Sequence, residues 1–446
     1  MSGRINGNPT KLFFIKMITR DISTRDAILD LLDNSIDGAS RINKNDYTGL
    51  WIKITLNENE MIIEDNCGGF SLDIAKKYAF RFGRPEEADS LGGTIGRFGV
   101  GMKRALFKMG IQFEVESQTD NDHFQIDVDV NVWKAAVEEV ERSDGTKETI
   151  ESWDFQYENI TDKTANLKSS GTYIRVTNLY PEVAESFRDN AFLNALENDI
   201  EKLLNFSLEK GIEIKFNDKQ LSKKEVLIFS EDNEPFVATG SKDSVNYKVL
   251  AGLGKTGEPK VSGWNVYCND RLVLEANTND ITGWGTGSIP QFNNDYAMFR
   301  GIVFLDSDDP INLPLTTTKK GVDTTSEVYR FVLNIMKEGM QSVITFLKSV
   351  RKLDDPQEYR KALGEQQEEQ MGVVEMKNRV FENLRTFVPP PLDYEKLAVK
   401  KDTVRISFIA NRKRAEFVKD YEGSKSYTQL GESLFEYYVT MEELDI

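Results

Sequence analysis

A chain of 446 residues, 39% hydrophobic and 29% charged, reads as a globular protein of roughly two to four domains. Its net charge of −17 opposes loose, sequence-blind binding to nucleic acid, although it leaves room for a local basic groove. No apolar run approaches the roughly 20 residues of a membrane span, and the polar opening Met1 to Thr10 lacks a signal peptide's apolar core, so the chain reads as cytoplasmic with no membrane partner.

Cys67 and Cys268 stand far apart in no paired motif, so neither a zinc site nor a disulfide framework is expected. The single histidine, His123, follows a polar turn and reads as a surface residue. Ser-His-Asp or Cys-His chemistry would have to run through it alone.

In chain order, the opening segment 9–20 carries Leu12, Phe13, Phe14, Ile15 and Met17. It is apolar enough for a strap exchanged with a second chain, or for a segment packed on its own domain. A helix is predicted over Ala27 to Arg41. Ile28, Leu31, Leu32, Ser35 and Ala39 share one face, and Asp30, Asp33, Asn34, Asp37 and Arg41 the other. Strands follow at Trp51 to Leu56 and Met61 to Glu64, then at Gln112 to Ser117, Phe124 to Val132, Thr172 to Asn178 and Ile212 to Asn217. Helices between strands joined by short turns predict an α+β layer with a mostly antiparallel sheet. A second unit is expected over 225–350, with strand signals at Gly263 to Leu274 and Ile302 to Leu305 and a helix after Thr325. A charged, helix-compatible linker covers 351–391 and ends in Pro389-Pro390-Pro391. Residues 392–446 read as a small separate module.

Three local patterns carry chemistry. Asp30, Asn34 and Asp37 stack along one helix face, where a carboxylate beside a carboxamide can hold a water and a hard cation; alone, this also fits a solvated face. The apolar strand Ile62-Ile63 ends in Glu64-Asp65-Asn66-Cys67-Gly68-Gly69, placing an acceptor and a tight turn beside a possible ligand. Gly92-Gly93 and Gly96-Arg97-Phe98-Gly99-Val100-Gly101 run into a helix at Met102-Lys103, and backbone amides at a helix start suit phosphate.

Their order resembles that of the GHKL ATPases, the superfamily of gyrase, heat-shock chaperone, histidine kinase and MutL. Asp30 to Asp37 resembles the first box, Asp65 to Gly69 the second, Gly96 to Lys103 the third, and Ser170-Gly171-Thr172 the fourth. The resemblance implies a Bergerat-type α/β sandwich over 1–224 that binds ATP with Mg2+. Asp30 would be the general base and Asn34 the magnesium ligand. Asp65 would read the adenine amine, with the Thr172 hydroxyl behind it and Gly69 in the turn. Gly96, Gly99, Gly101 and Lys103 would surround the phosphates, under a lid at 79–95. Residues 225–350 look like the transducer domain of the gyrase and MutL branch. The loop Leu313 to Lys320 is similar to the one whose lysine reaches the γ-phosphate, with Lys319 chosen over Lys320.

Two departures stand out. The family usually has Glu where this chain has Asp30, shorter by about 1.5 Å. Misplacement near 1 Å can cost about 100-fold in rate, so slow hydrolysis is expected. Cys67 replaces the first glycine of the second box. The length fits a MORC-like or bacterial orphan member, which by analogy suggests defence or repair. The implied behaviour is an ATP-gated dimer clamp acting on a protein or nucleic-acid client. A binding module with negligible turnover and a GHKL-type serine/threonine kinase are the alternatives.

Overall fold

The computed structural model describes residues 9–82, 101–141, 145–160, 165–223, 227–230, 234–316, 321–353, 355–365, 370–381, 384–389, 406 and 408–442. They fall in two compact units, Met1–Leu392 and Asp393–Ile446.

The first unit opens with helix α1 (Lys11–Arg20), started by Thr10, whose hydroxyl accepts from the Phe13 amide at 3.3 Å. Lys11 is buried: its amide donates to Glu151 and its Nζ to the Trp133 carbonyl. Phe14 meets Phe82 and Trp153 edge-on at 4.7 and 5.4 Å. Segment 9–20 is therefore a helix packed on its own domain, with Leu12, Phe13 and Met17 left exposed. Helix α2 (Thr24–Ile42) is capped by Ser23, which accepts from the Asp26 amide.

Strands β1 (Trp51–Leu56) and β2 (Glu60–Asp65) form a hairpin and lead to a short helix α3 (Leu72–Ile74), which continues as a π turn. Next come α4 (Gly101–Met109), β3 (Gly110–Gln118) and β4 (His123–Asp129). The alternating run expected to continue as strand to Val132 turns at Asp129. Its carboxylate caps helix α5 (Val130–Ala135) by accepting from the Asn131 and Val132 amides. A side ribbon, β5 (Val137–Glu141) and β6 (Lys147–Glu151), precedes β7 (Glu158–Asn159) and β8 (Gly171–Leu179). Helices α6 (Pro181–Arg188), α7 (Asn190–Leu203) and α8 (Asn205–Glu209) lead to β9 (Glu213–Phe216) and β10 (Lys219–Gln220).

The resulting sheet runs β10-β9-β1-β2-β8-β3-β4-β7, antiparallel except for β1 against β9. Its inner face and α2, α4 and α7 share one core, with Ile28, Leu32, Ile63, Leu106, Val115, Ile174 and Ile200 all buried. Such burial stabilises each large side chain by about 1.5–3 kcal/mol.

A second sheet follows. Strand β11 (Leu227–Ser230) pairs apart with a later segment, and the sheet itself is built from β12 (Phe236–Lys242), β13 (Val245–Leu253), β14 (Gly263–Cys268), β15 (Arg271–Asn277) and β16 (Phe299–Asp306). Asn269 and Asp270 both take positive φ, 45° and 67°, the geometry of a two-residue hairpin turn, and so place Arg271 at the start of β15. Helix α9 (Glu327–Val350) lays Val332, Met336, Met340, Val343 and Leu347 on this sheet at helical spacing. The segment expected to be a helical linker instead folds back. After α10 (Pro356–Glu365), β17 (Gln370–Gly372) pairs with β11, α11 (Val373–Asn378) follows, and β18 (Leu384–Arg385) extends the sheet beyond β12. Met371, Val373 and Met376 are buried with Phe206 of α8, Tyr267 and Phe304, and this shared apolar core draws the segment in.

The second unit holds α12 (Arg412–Tyr421) and α13 (Tyr427–Met441), capped by Asn411 and Ser426. Among the described residues, no helix is long and apolar enough to cross a membrane.

Candidate functional site

Helix α2 organises the site. Its acid face is not solvated: Asp30, Asp33 and Asp37 are 2%, 0% and 5% exposed. Asn34, between them, is half-buried.

At one end stands Asp65, the last residue of β2. Its Oδ2 accepts from the Ser35 hydroxyl at 2.7 Å and its Oδ1 from the Cys67 amide at 2.8 Å. Burial raises its pKa to about 6, against the lowering effects of Ser35, Cys67, Thr172 and Arg41. Thr172 lies directly opposite in the β2–β8 ladder, and its backbone amide reaches the carboxylate. The hydroxyl bonded to Asp65 is thus that of Ser35, which the sequence reading placed on the apolar face of the helix. A lone hydroxyl among Ile28, Leu31, Leu32 and Ala39 was the available signal.

The turn after Asp65 is clamped on both sides. Gly68 and Gly69 take φ of 87° and 63°. A Cβ on Gly69 would stand 2.3 Å from the Gln118 carbonyl, and one on Gly171 would stand 2.0 Å from that of Asp65. On the α2 side, a Cβ on Gly38 would meet the Cys67 carbonyl at 2.5 Å. The Ser117 hydroxyl both accepts from the Phe70 amide and donates to the Phe70 carbonyl. Cys67 is buried, and burial with the Asp65 charge pushes its thiol well up, so it is a packing residue and not a nucleophile.

The other end is the start of α4. A Cβ on Gly101 would lie 3.5 Å from Asp30 Oδ2. Arg104, one turn further, donates to that same oxygen at 2.5 Å. Lys103 is turned inward: its Nζ donates to the Ala79 carbonyl at 2.6 Å, and burial lowers its pKa to about 7. Gly96, Gly99, Lys319 and most of the lid 79–95 lie outside the described residues.

One further link joins the two sheets' domains, and no local motif signals it. Arg271 of the second sheet ion-pairs with Asp33 of α2, both side chains fully buried. Burial lowers the arginine's pKa to about 10, against the pull of Asp30 and Asp26. Beside this contact, a cleft of about 940 Å³ is lined by Asp37, Lys210, Asp270 and Lys377 among others.

A buried acceptor at a strand end, a glycine-walled turn beside it and a glycine-started helix near an acid are the parts of a nucleotide pocket. Residues 22–165 match the family described as histidine kinase-, DNA gyrase B-, and HSP90-like ATPase. The chain carries a GHKL-type ATPase domain. No curated protein matches the chain. The GHKL domain places Asp30, Asn34 and Ser35 on one helix, Asp65 and Gly69 on the turn beside it, and Gly101 and Lys103 on α4. ATP binding and hydrolysis are the general business of this family. The residues present fit such a ligand: Asp65 offers buried acceptor oxygens, and close packing of Gly69, Gly171 and Gly38 against neighbouring carbonyls fixes the turn that holds it.

Proposed function

We propose that this chain binds ATP with Mg2+ and hydrolyses it slowly, using the cycle to open and close a dimer clamp on a protein or nucleic-acid client. The observation that carries the nucleotide reading is the Asp65 carboxylate, fixed by Ser35 and Cys67 beneath a turn that only glycines can build. Asp65 accepts from the adenine amine, while Gly69 lets the base approach. Asn34 holds the magnesium ion, and the ion, when bound, offsets phosphate charge. Gly96, Gly99 and Gly101 present backbone amides to the phosphates. Lys103, near neutral while buried, gains a proton if phosphate approaches it.

For hydrolysis, Asp30 takes the proton of the attacking water as the water oxygen bonds to the terminal phosphorus and the bridging P–O bond breaks, releasing ADP. Lys319, outside the described residues, is the candidate for a cation that senses the γ-phosphate from the second domain. The exposed Leu12, Phe13 and Met17 of α1 supply an apolar surface for a second chain.

A second reading, a nucleotide-gated module with negligible turnover, is favoured by one observation: Asp30 is short and already engaged by Arg104. A single-turnover assay with labelled ATP separates the readings. Released phosphate supports the ATPase, no reaction supports the binding module, and labelled protein would indicate a kinase. In the first case, Asp30→Ala should abolish release while leaving ATP binding largely intact. Unchanged release in Asp30→Ala would remove Asp30 from the mechanism.

A further inference from the structure

Asp30 already has a partner. Arg104 donates to its Oδ2 at 2.5 Å, and both side chains are buried. The guanidinium occupies the lone pair of Oδ2 and stands where an attacking water would have to approach that oxygen. The pair lies at the first turn of α4, since a Cβ on Gly101 would be 3.5 Å from the same oxygen. A helix start favours anions, so the phosphate end of the pocket and the Asp30–Arg104 contact coincide. Arg104 Nε is buried and has no hydrogen-bond partner among the described residues, so the guanidinium keeps donor capacity beyond the Nη2 bond to Asp30.

We propose that Arg104 is a latch on Asp30, which the terminal phosphate of ATP opens by drawing the guanidinium onto itself. This rests on the reading of Asp30 as the general base. Before ATP binds, Arg104 keeps the carboxylate occupied. With ATP bound, Arg104 turns to the terminal phosphate and gives up its bond to Asp30 Oδ2, the oxygen that then takes the water's proton. ADP has no terminal phosphate and leaves the pair closed. Arg104 takes no proton from the water and acts by exchanging one anionic partner for another.

The latch predicts opposite effects from breaking the same pair at its two ends, which a purely structural ion pair does not. The measurement is calorimetric binding of a non-hydrolysable ATP analogue and of ADP to the full chain, to Asp30→Asn, to Arg104→Met and to the double variant. Asp30→Asn releases Arg104, so the preference for the analogue over ADP should rise about tenfold. Arg104→Met should lower that preference. Loss of the Asp30 charge also relieves repulsion of the phosphate, but that relief does not need Arg104. The gain should therefore vanish when Asp30→Asn is made in the Arg104→Met chain. A gain of equal size in both backgrounds, or no gain in either, overturns the latch. Should Arg104→Met not fold, Arg104→Lys keeps the charge without the planar fork, and the gain from Asp30→Asn should shrink there. If the unaltered chain binds neither nucleotide, the site reading falls along with the latch. If it binds both, and no variant changes their ratio, the latch alone falls.

Discussion

Arg271 reaches from the start of β15 to Asp33 in the middle of α2, joining the second sheet to the helix that carries Asp30 and Asn34. Removing one partner of a buried ion pair costs the other charge its strongest attraction in a place water does not reach. Arg271→Met should therefore cost about 3–5 kcal/mol in chemical denaturation. Adding Asp33→Asn to that chain should return a large part of the loss. A cost below about 1 kcal/mol would mean that the two domains do not rely on this contact.

Nucleotide affinity should depend on Asp65. Asp65→Asn presents a donor where the adenine amine needs an acceptor, and should weaken ATP about tenfold or more in calorimetry. Ser35→Ala removes one support of the carboxylate and should cost less. The pH dependence has a definite sign. Folded Asp65 titrates near 6 because it is buried, against 3.8 for the solvent-exposed carboxyl of the unfolded chain. Between those values the folded chain holds a proton that the unfolded chain has released. Stability from this group should fall as pH rises from about 4 to 6 and level off above. ATP binding should strengthen as pH rises through about 6, where the folded carboxylate ionises. Both slopes should be missing in Asp65→Asn.

Gly171 has no room for a side chain, with the Asp65 carbonyl 2.0 Å from where its Cβ would sit. Gly171→Ala should push β8 away from Asp65, costing about 1–3 kcal/mol by thermal unfolding and weakening nucleotide binding with it. Gly145→Ala is the control for a site with open space: its φ of 78° strains the backbone, but no atom lies within 4 Å, so ATP affinity should hold.

ATP, and not ADP, should promote association of two chains. A ligand shifts a conformational equilibrium only through contacts that differ between the two states. Sedimentation with a non-hydrolysable ATP analogue should show a larger species than with ADP. Phe13→Glu, on the exposed side of α1, should suppress it, and Lys319→Ala should weaken it more than Lys320→Ala. Equal mass with both nucleotides would argue against the clamp.

The boxes were legible because each is local: a strand ending in Asp65 and glycines, and a glycine run entering a helix. Element positions followed from periodicity, so α2, β1, β2 and α9 match the expected segments within a few residues. The connections between boxes were not legible. Ser35 meets Asp65 across 30 positions, Arg104 meets Asp30 across 74, and Arg271 meets Asp33 across 238. Hydropathy places a residue on a helix face but does not say that an acid face will be buried against two arginines. The same limit explains 370–388, where charged sequence conceals strands that pair only because β11 and, at the edge of the second sheet, β12 are there to receive them.

The pairing of His123 with Glu116 also has a practical use. His123 Nε2 stands 2.8 Å from Glu116 Oε1, and the neighbouring Ser117 grips the Phe70 end of the glycine turn. Because the chain contains one histidine, its proton spectrum holds a single set of imidazole ring resonances. Those signals come from a ring one residue pair away from the pocket wall. They offer a label-free spectroscopic reporter of nucleotide occupancy that requires no added probe and no assignment by mutagenesis.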